Sequence, residues 1–484
     1  MPASLPLRAG AGRLPGLGLL VLLAACSPLG GGAGDVSVTT TSAPSASFPV
    51  SEQHDRIVAN YGGVYRDAEL ERTLARIVGR LVAASDDPGR SYAITILNSS
   101  SVNAFALPEG YLYVTRGLLT LATDSSEVAA VLAHEMAHVT ADHAAQRQNQ
   151  ALTAAIVDNV VQDAVAGGPG AQIAVATSQR TLASFSQQQE LEADAIGIRT
   201  VARAGYDPYA ASRFLQAMAA YERYRNALNV NEGDETDFLA SHPSNPQRIS
   251  LAASVAQQYG PPGTGEVDRD RYLDGLDGIV FGDDAAQGFV RGLNFYHTGL
   301  GIGFAVSPGF SLDNTQAAVL AVGPEGMALR FDATTLRPGE TLDAFLRSGW
   351  VNGLQTATIQ ARTIAGLPAI SASASAGGWQ FRLVLIQVGQ EAYRFIFASA
   401  RATAAFEQAA ATISASFRIL TEAERSSIRP LRVTVVTARA GDTVASLGGA
   451  MRGVADPMNL FLLLNGFDAT TQIQPGTRVK LVVE

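Results

Sequence analysis

Two histidines four residues apart, with a glutamate beside the first, constrain this chain more than any other feature. They are His134, Glu135 and His138, within the segment from Ala133 to His138. On an α-helix, residues four apart lie on one face, so both imidazoles can reach a single ion. Glu135 then points to the side of the ion, where its carboxylate can activate a water molecule. The spacing predicts a zinc helix, although H-E-x-x-H also occurs by chance in roughly one chain in a hundred of this length.

The flanking sequence supports this helix. Apolar residues recur at helical spacing from Leu121 to Arg147, and Asp124 followed by Glu127 has the spacing of an N-cap with its capping-box partner. A third histidine, His143, lies five residues after the second, whereas a metzincin places its third ligand six residues on. On a continuous helix His143 would face about 140° away from the metal side. We therefore predict that His143 packs against the helix or lies on its surface.

Catalytic zinc takes three protein ligands, so a further ligand must come from elsewhere in the chain. The best candidate is Glu190, which lies four residues before Asp194 in the segment from Gln189 to Gly197. Glu190 can bind the ion while Asp194 accepts a ring N–H from one of the zinc histidines. Glu192, between them, would point elsewhere. The alternative is an acidic, solvated helix face, which is the weaker interpretation for a segment that follows a zinc helix.

Several segments together resemble a known family of zinc metalloendopeptidases, which includes the CAAX prenyl protease, HtpX and periplasmic BepA-like enzymes. The matching segments are the strand and turn of residues 102–119, the zinc helix, the segment with Glu190 and Asp194, and Ser241-His242-Pro243 followed by Arg248. One departure is Glu109, where family members commonly have glycine. The resemblance covers roughly residues 53–258.

This resemblance implies roles for individual residues. It makes His134, His138 and Glu190 the ligands of one Zn²⁺ per chain and Glu135 the catalytic carboxylate. It places His242 and Arg248 over the reacting carbonyl, where either could stabilise the oxyanion.

The resemblance also leaves two further expectations. His242 could occupy the fourth position on zinc and keep the enzyme latent. An extended substrate is expected to add to the strand around Val102 to Leu107, which contains Asn103, Ala104 and Phe105, or to the strand from Tyr111 to Thr115. Main-chain pairing there gives affinity with little sequence preference.

The amino-terminal sequence predicts the cellular compartment of the protein. An apolar run ends at Leu23-Ala24-Ala25-Cys26, the pattern of a bacterial lipoprotein signal peptide. We predict a signal peptide over residues 1–26, lipidation of Cys26, and a flexible tether over residues 27–52, whose Gly-, Ser-, Thr- and Pro-rich composition cannot bury a core. Ser27, in place of an aspartate, implies by resemblance an outer-membrane lipoprotein that faces the periplasm.

The charge balance argues against one class of partner. The formal net charge is −9 and the pI is about 5.3, and the sequence has no basic stripe or aromatic-rich platform, so nucleic-acid binding is not expected. Lys480 is the only lysine among 35 lysines and arginines. We interpret this imbalance as codon bias rather than as a phosphate-binding surface.

The chain is predicted to be α+β, with three domains after the tether. Residues 53–267 form a helix-rich, zincin-like metallopeptidase domain. Residues 268–425 carry alternating apolar runs, which predict an α+β domain of unknown role with an antiparallel sheet and a weak analogy to PsbP or Mog1. Residues 430–484 resemble a LysM module of strand–helix–helix–strand order. Such modules bind N-acetylglucosamine glycans such as peptidoglycan, and the alternative is a domain that has lost the sugar site.

These patterns together predict a lipid-anchored zinc endopeptidase that acts on misfolded periplasmic or outer-membrane proteins. Zinc would polarise the scissile carbonyl, while Glu135 takes a proton from the attacking water and delivers it to the leaving amine. Two alternatives stay open. One is an assembly chaperone or scaffold with little proteolysis, and the other is a peptidoglycan-binding protein directed by residues 430–484.

Overall fold

The structure is a computed structural model that describes residues 38–39, 52–147, 169–228, 238, 242 and 245–484. Cys26, the rest of the predicted signal peptide, most of the tether, Ser241 and Pro243 lie outside the described residues. The described part combines helices with four sheets, so the predicted α+β class is confirmed. Within it, none of the helices has the length and hydrophobicity needed to span a bilayer.

In its described residues, the metallopeptidase region packs helices around a small sheet. Its helices are α1 (Glu52–Asn60), α2 (Ala68–Ala84), α3 (Arg116–Leu121), α4 (Ser125–Thr140), α5 (Pro169–Arg203), α6 (Ala210–Ala227) and α7 (Pro246–Ala256), and its strands are β1 (Val38–Thr39), β2 (Ala93–Leu97), β3 (Ala104–Ala106) and β4 (Tyr111–Thr115). The strand order is β1-β2-β4-β3, with β2 parallel and β3 antiparallel to β4. Strand β3 therefore lies at the sheet edge and contacts α4.

Helix α4 begins as the sequence predicts. The Asp124 carboxylate accepts a hydrogen bond from the backbone N–H of Glu127 at 3.0 Å. The Glu127 carboxylate accepts from the backbone N–H of Thr123 at 2.8 Å, one residue before the usual capping-box partner. Every residue from Ser125 to His138 is buried, because α5, α6, α2 and β3 all pack against this helix. The zinc helix is therefore held by packing on all sides.

The sequence has helical spacing as far as Arg147, but the helix that starts after Asp124 does not continue that far. The helix ends at Thr140, and Asp142 has a φ of 55°, in the left-handed region. The chain therefore changes direction before His143. His143 is fully buried and is not among the converging metal donors, in agreement with the predicted packing role, but its predicted angle assumed a continuous helix and does not apply.

Residues 268–425 contain two antiparallel sheets. The helices are α8 (Arg269–Leu276), α9 (Leu342–Leu346), α10 (Ala404–Ala415) and α11 (Glu422–Ser427), and the strands are β5 (Val280–Phe281), β6 (Phe289–Arg291), β7 (Asn294–His297), β8 (Ile302–Ala305), β9 (Ser311–Asn314), β10 (Val319–Val322), β11 (Ala328–Thr335), β12 (Leu354–Ile364), β13 (Leu367–Ala376), β14 (Trp379–Val388), β15 (Glu391–Ser399) and β16 (Arg418–Ile419). The larger sheet has the order β12-β13-β14-β15-β11-β10-β9, and the smaller has the order β16-β8-β7-β6. Helix α10 packs between them, against β8, β14 and β15.

The C-terminal segment has the order strand–helix–helix–strand and packs onto the metallopeptidase region. Its elements are β17 (Leu431–Thr437), α12 (Val444–Gly448), α13 (Pro457–Asn465) and β18 (Arg478–Val483). Strand β17 pairs antiparallel with β18 and with β5. Leu460 and Phe461 of α13 belong to the same buried cluster as Leu118 and Leu121 of α3. The two regions therefore share one core, and glycan binding by this segment stays a prediction.

Lys480 joins these two regions, which the codon-bias interpretation did not foresee. Its side chain is fully buried. Its ammonium donates to the carbonyl oxygens of Thr120 and Ala122, both at 2.7 Å, and to that of Leu121 at 3.4 Å. These carbonyls lie at the C-terminal end of α3, where helical partners are missing. Burial lowers the pKa of Lys480 to about 7.

Lys480→Met is expected to lower the free energy of unfolding by roughly 2–4 kcal/mol, because it leaves at least two buried carbonyls without a donor. Denaturant unfolding of residues 27–484 measures this change. Arg439→Met, which removes an exposed cation from the same segment, is the matched control and should leave stability unchanged. Equal stabilities for the two variants would contradict a structural role for the buried amine.

Candidate metal centre

Four buried side chains converge in the metallopeptidase region: those of His134, His138, Glu190 and His242. One donor atom from each lies within 4.8 Å of all the others. Nε2 of His138 is 3.0 Å from Nε2 of His134, and the Glu190 carboxylate is 3.4 and 3.3 Å from the Nε2 atoms of His134 and His138. The structure therefore brings together all three ligands that the resemblance implied.

Helices α4 and α5 position these three groups. His134 and His138 share one face of α4, and Glu190 reaches them from α5, which packs along α4. Gly197 allows the two helices to approach closely, because a Cβ there would lie 3.1 Å from the backbone nitrogen of His134. The pair His134 and His138 and the pair Glu190 and Asp194, each with a spacing of four residues, thus meet at one site.

A carboxylate holds the ring of His134. Nδ1 of His134 is 2.9 Å from Oδ1 of Asp194, as the sequence predicted. Arg248 donates to both oxygens of Asp194, at 2.9 and 2.8 Å, and lies 3.1 Å from Glu190. Burial opposes ionisation of Asp194, but the hydrogen bonds from His134 and Arg248 lower its pKa to about 2. Arg248 therefore contacts the carboxylates of both Asp194 and Glu190. Its contact with an oxyanion stays a prediction.

The ring nitrogens of the two zinc histidines differ in basicity. Burial lowers the pKa of His138 to about 3, which keeps its ring neutral and able to bind a cation. Burial also disfavours the charged form of His134, but the carboxylates of Asp194 and Glu190 outweigh it and raise the pKa of His134 to about 10. An ion that binds at His134 must therefore displace a proton.

Glu135 lies beside the donor cluster. Its Oε1 is buried, has no hydrogen-bond partner within the described part of the chain, and is 3.6 Å from Nε2 of His242. Burial raises the pKa of Glu135. A buried carboxylate oxygen without a donor, next to converging imidazoles, fits a site that holds a cation and a reacting water.

His242, which precedes α7 in the sequence, enters the cluster. Its Nδ1 is 2.9 and 3.0 Å from the two oxygens of Glu190 and 3.3 Å from Nε2 of His134. Phe238 stacks on its ring, with centroids 4.6 Å apart. These contacts place His242 among the candidate ligands, in addition to the three that the sequence assigned.

Sequence reasoning missed two contacts of His143, one with His138 and one with Glu192. Nδ1 of His143 is 2.9 Å from Nδ1 of His138, and Nε2 of His143 is 3.5 Å from the Glu192 carboxylate. The signal that could have revealed this contact is Asp142, because aspartate tolerates the left-handed conformation that ends a helix better than most residues do.

The predicted substrate strand lies at the edge of the sheet, next to the zinc helix. Asn103 is buried and donates to the hydroxyl of Tyr61 at 3.0 Å. Ala104 is buried at the start of β3, and Phe105 stacks on Tyr113, with centroids 4.8 Å apart. Within the described sheet, β3 pairs only with β4, whereas β4 is paired on both sides, by β2 and β3. Substrate addition to β3 therefore stays a prediction, and addition to the strand from Tyr111 to Thr115 is not compatible with this pairing.

Comparison with known proteins agrees with this geometry. Residues 68–256 match the model of peptidase family M48. The chain contains a peptidase family M48 domain. The match includes the donor cluster of His134, His138, Glu190 and His242, so the prediction of a zinc cofactor in a metallopeptidase domain is confirmed.

Relatives of the M48 domain occur in bacteria and mitochondria. The chain is 32% identical to a β-barrel assembly-enhancing protease of Yersinia pestis, over 40% of this chain and 40% of that protein. It is 34% identical to the mitochondrial metalloendopeptidase OMA1 of Arabidopsis thaliana, over 36% of this chain and 33% of that protein. The chain therefore spans less than half the length of these relatives.

A solved structure of PsbP from the cyanobacterium Synechocystis gives a further comparison. It covers 28% of this chain and 98% of that chain, with 12% identity and a TM-score of 0.21. A TM-score this low carries no argument. The PsbP-like architecture of residues 268–425 thus stays a prediction.

Proposed function

We propose that this protein is a zinc-dependent metalloendopeptidase that hydrolyses unfolded or misassembled proteins of the bacterial envelope. The observation that carries the proposal is the buried cluster of His134, His138 and Glu190, with Glu135 beside it, inside an M48 domain. Two imidazoles and one carboxylate are a ligand set of catalytic zinc, and a carboxylate next to them can move protons.

The residues of the site have different roles in peptide hydrolysis. Zinc, when bound, supplies the Lewis acidity that polarises the scissile carbonyl and acidifies the attacking water. Glu135 takes the proton of that water and passes it to the leaving amine, and burial raises the pKa of its carboxyl group, which makes the carboxylate a stronger proton acceptor. Asp194 fixes the ring of His134, and Arg248 fixes Asp194.

The edge position of β3 supports the proposed substrate class. A substrate that pairs with β3 through its main chain must be extended, and folded proteins expose few unpaired extended segments. Several relatives are named as β-barrel assembly-enhancing proteases. A strand of an unassembled barrel is an extended segment of this kind, so we expect selection for unfolded substrates rather than for a sequence motif.

Mass spectrometry of cleavage products tests this function. Residues 27–484 should cut unfolded, casein-type substrates at internal bonds, and a zinc chelator should stop the cleavage. A tightly folded control protein should remain intact. Products that arise only by trimming from the chain ends, or cleavage that the chelator does not affect, would show that the proposal is wrong.

We also propose that the protein is anchored by a lipid on Cys26 at the periplasmic face of the outer membrane. The sequence Leu23-Ala24-Ala25-Cys26 supports this proposal. Cys26→Ser is expected to move the protein from the membrane fraction to the soluble periplasmic fraction, because a lipid chain would be the means of attachment. Fractionation and immunoblotting measure the shift, with Ser27→Ala as a control that stays bound. Retention of the Cys26→Ser protein in washed membranes would contradict lipid anchoring.

The position of His242 leads us to propose a latent enzyme. Four protein ligands make a closed site without room for a reacting water, so the loop that carries His242 must move before catalysis. His242→Ala, assayed at saturating zinc, is then expected to raise the basal cleavage of an unfolded substrate several-fold. If His242 instead stabilises the oxyanion, the same variant should cleave more slowly. A fall in rate with zinc content unchanged would therefore exclude latency.

A further inference from the structure

We propose that His143 is a positioning residue for the zinc ligand His138 and acts through a hydrogen bond between the two Nδ1 atoms. This inference rests on the proposed zinc site and extends it to a residue outside the donor cluster. His143 lies beyond the end of α4, so its position depends on the turn at Asp142.

The geometry assigns a separate neighbour to each nitrogen of His138. Its Nε2 faces the donor cluster, 3.0 Å from Nε2 of His134. Its Nδ1 is 2.9 Å from Nδ1 of His143, and the two rings meet edge to face at 72°. His143 has no exposed surface, so bulk water does not compete for this contact.

These contacts determine where the protons lie when zinc is bound. A neutral ring that binds zinc through Nε2 carries its proton on Nδ1, so His138 donates to Nδ1 of His143. His143 must then be neutral and protonated on Nε2. That nitrogen is buried and has no hydrogen-bond partner within the described residues, and the Glu192 carboxylate lies 3.5 Å from it.

Helix α5 holds His143 as well as His134. The side-chain amide of Gln189 donates to the backbone carbonyl of His143 at 3.2 Å, and Glu192 approaches its ring. Two residues after Glu192 on the same helix, Asp194 contacts the ring of His134. Helix α5 thus orients both zinc histidines, one through a carboxylate and the other through an imidazole.

A matched pair of variants tests this role. His143→Leu fills a similar volume and removes the acceptor, whereas His143→Asn can place an amide oxygen near the position of Nδ1. The leucine variant is expected to weaken zinc affinity about 10- to 100-fold, as for other partners of metal ligands. The asparagine variant should stay within about threefold of the wild type if its oxygen restores the bond. Competition with a chromophoric chelator measures these affinities without any peptidase assay.

Thermal unfolding of the metal-free proteins separates a metal effect from a folding effect. If the leucine variant does not fold, His143→Met takes its place, because its thioether fills the space but accepts hydrogen bonds only weakly. Unchanged affinity in the leucine or methionine variant, or equal weakening in the asparagine variant, would overturn the inference. A wild-type protein that binds no zinc would instead overturn the proposed function.

Discussion

Glu135→Gln is expected to lower peptide cleavage by roughly 10²- to 10⁴-fold, the usual contribution of a general acid–base group, while zinc stays bound. The amide keeps the shape of the side chain but cannot take a proton from water. Glu135 is not among the donor atoms that converge on the metal position, so zinc affinity should hold. Initial rates on an unfolded, casein-type substrate and zinc content on the same samples measure the two effects.

Glu222→Gln is the matched control, since Glu222 is an exposed glutamate on α6, remote in sequence from the site. It should match the wild type in both measurements. Complementation of a deletion strain separates the proposed enzyme from an assembly scaffold. If Glu135→Gln restored envelope integrity as well as the wild type did, proteolysis would not be the main role.

Glu190→Ala, His134→Ala and His138→Ala are each expected to lose zinc and, with it, all measurable cleavage. Each change removes one of the three ligands that hold zinc once His242 has left the metal, and a catalytic zinc site needs three. Asp194→Ala should be milder, with a loss of about 10- to 100-fold in affinity or activity, because Asp194 acts on zinc only through the ring of His134. Elemental analysis after dialysis against a weak chelator gives the zinc content.

The relative loss of zinc among these variants shows which side chains bind the metal directly. Full zinc content in Glu190→Ala would show that the third ligand is wrong. Equal loss in Asp194→Ala and Glu190→Ala would show that Asp194 binds the metal directly.

The parts of the site that the sequence predicted are those set by local geometry. The pairs His134 with His138 and Glu190 with Asp194 each depend only on helical periodicity, and Asp124 marks a helix start through its own hydrogen bond. The family resemblance, rather than the spacing, predicted that the two helices pack with these faces together. No local pattern brings His242 over α4, because a loop has no periodicity that fixes its direction.

The missed contacts depend on tertiary structure or on a single turn. Nothing near Lys480 in the sequence indicates that its amine binds carbonyls at the end of α3, about 360 residues earlier. The angle predicted for His143 was wrong because one left-handed residue, Asp142, redirects the chain. The angle of about 100° per residue of an α-helix no longer applies beyond that residue. Both cases show a polar residue whose role is decided by what packs against it.

The most direct test of the zinc peptidase proposal is to measure zinc content and cleavage on one preparation of residues 27–484, before and after metal removal. We expect about one zinc per chain, loss of cleavage with the chelator, and recovery when one equivalent of zinc is returned. Cleavage that persists after all metal has been removed, or a protein that binds zinc and never cleaves an unfolded chain, would contradict it.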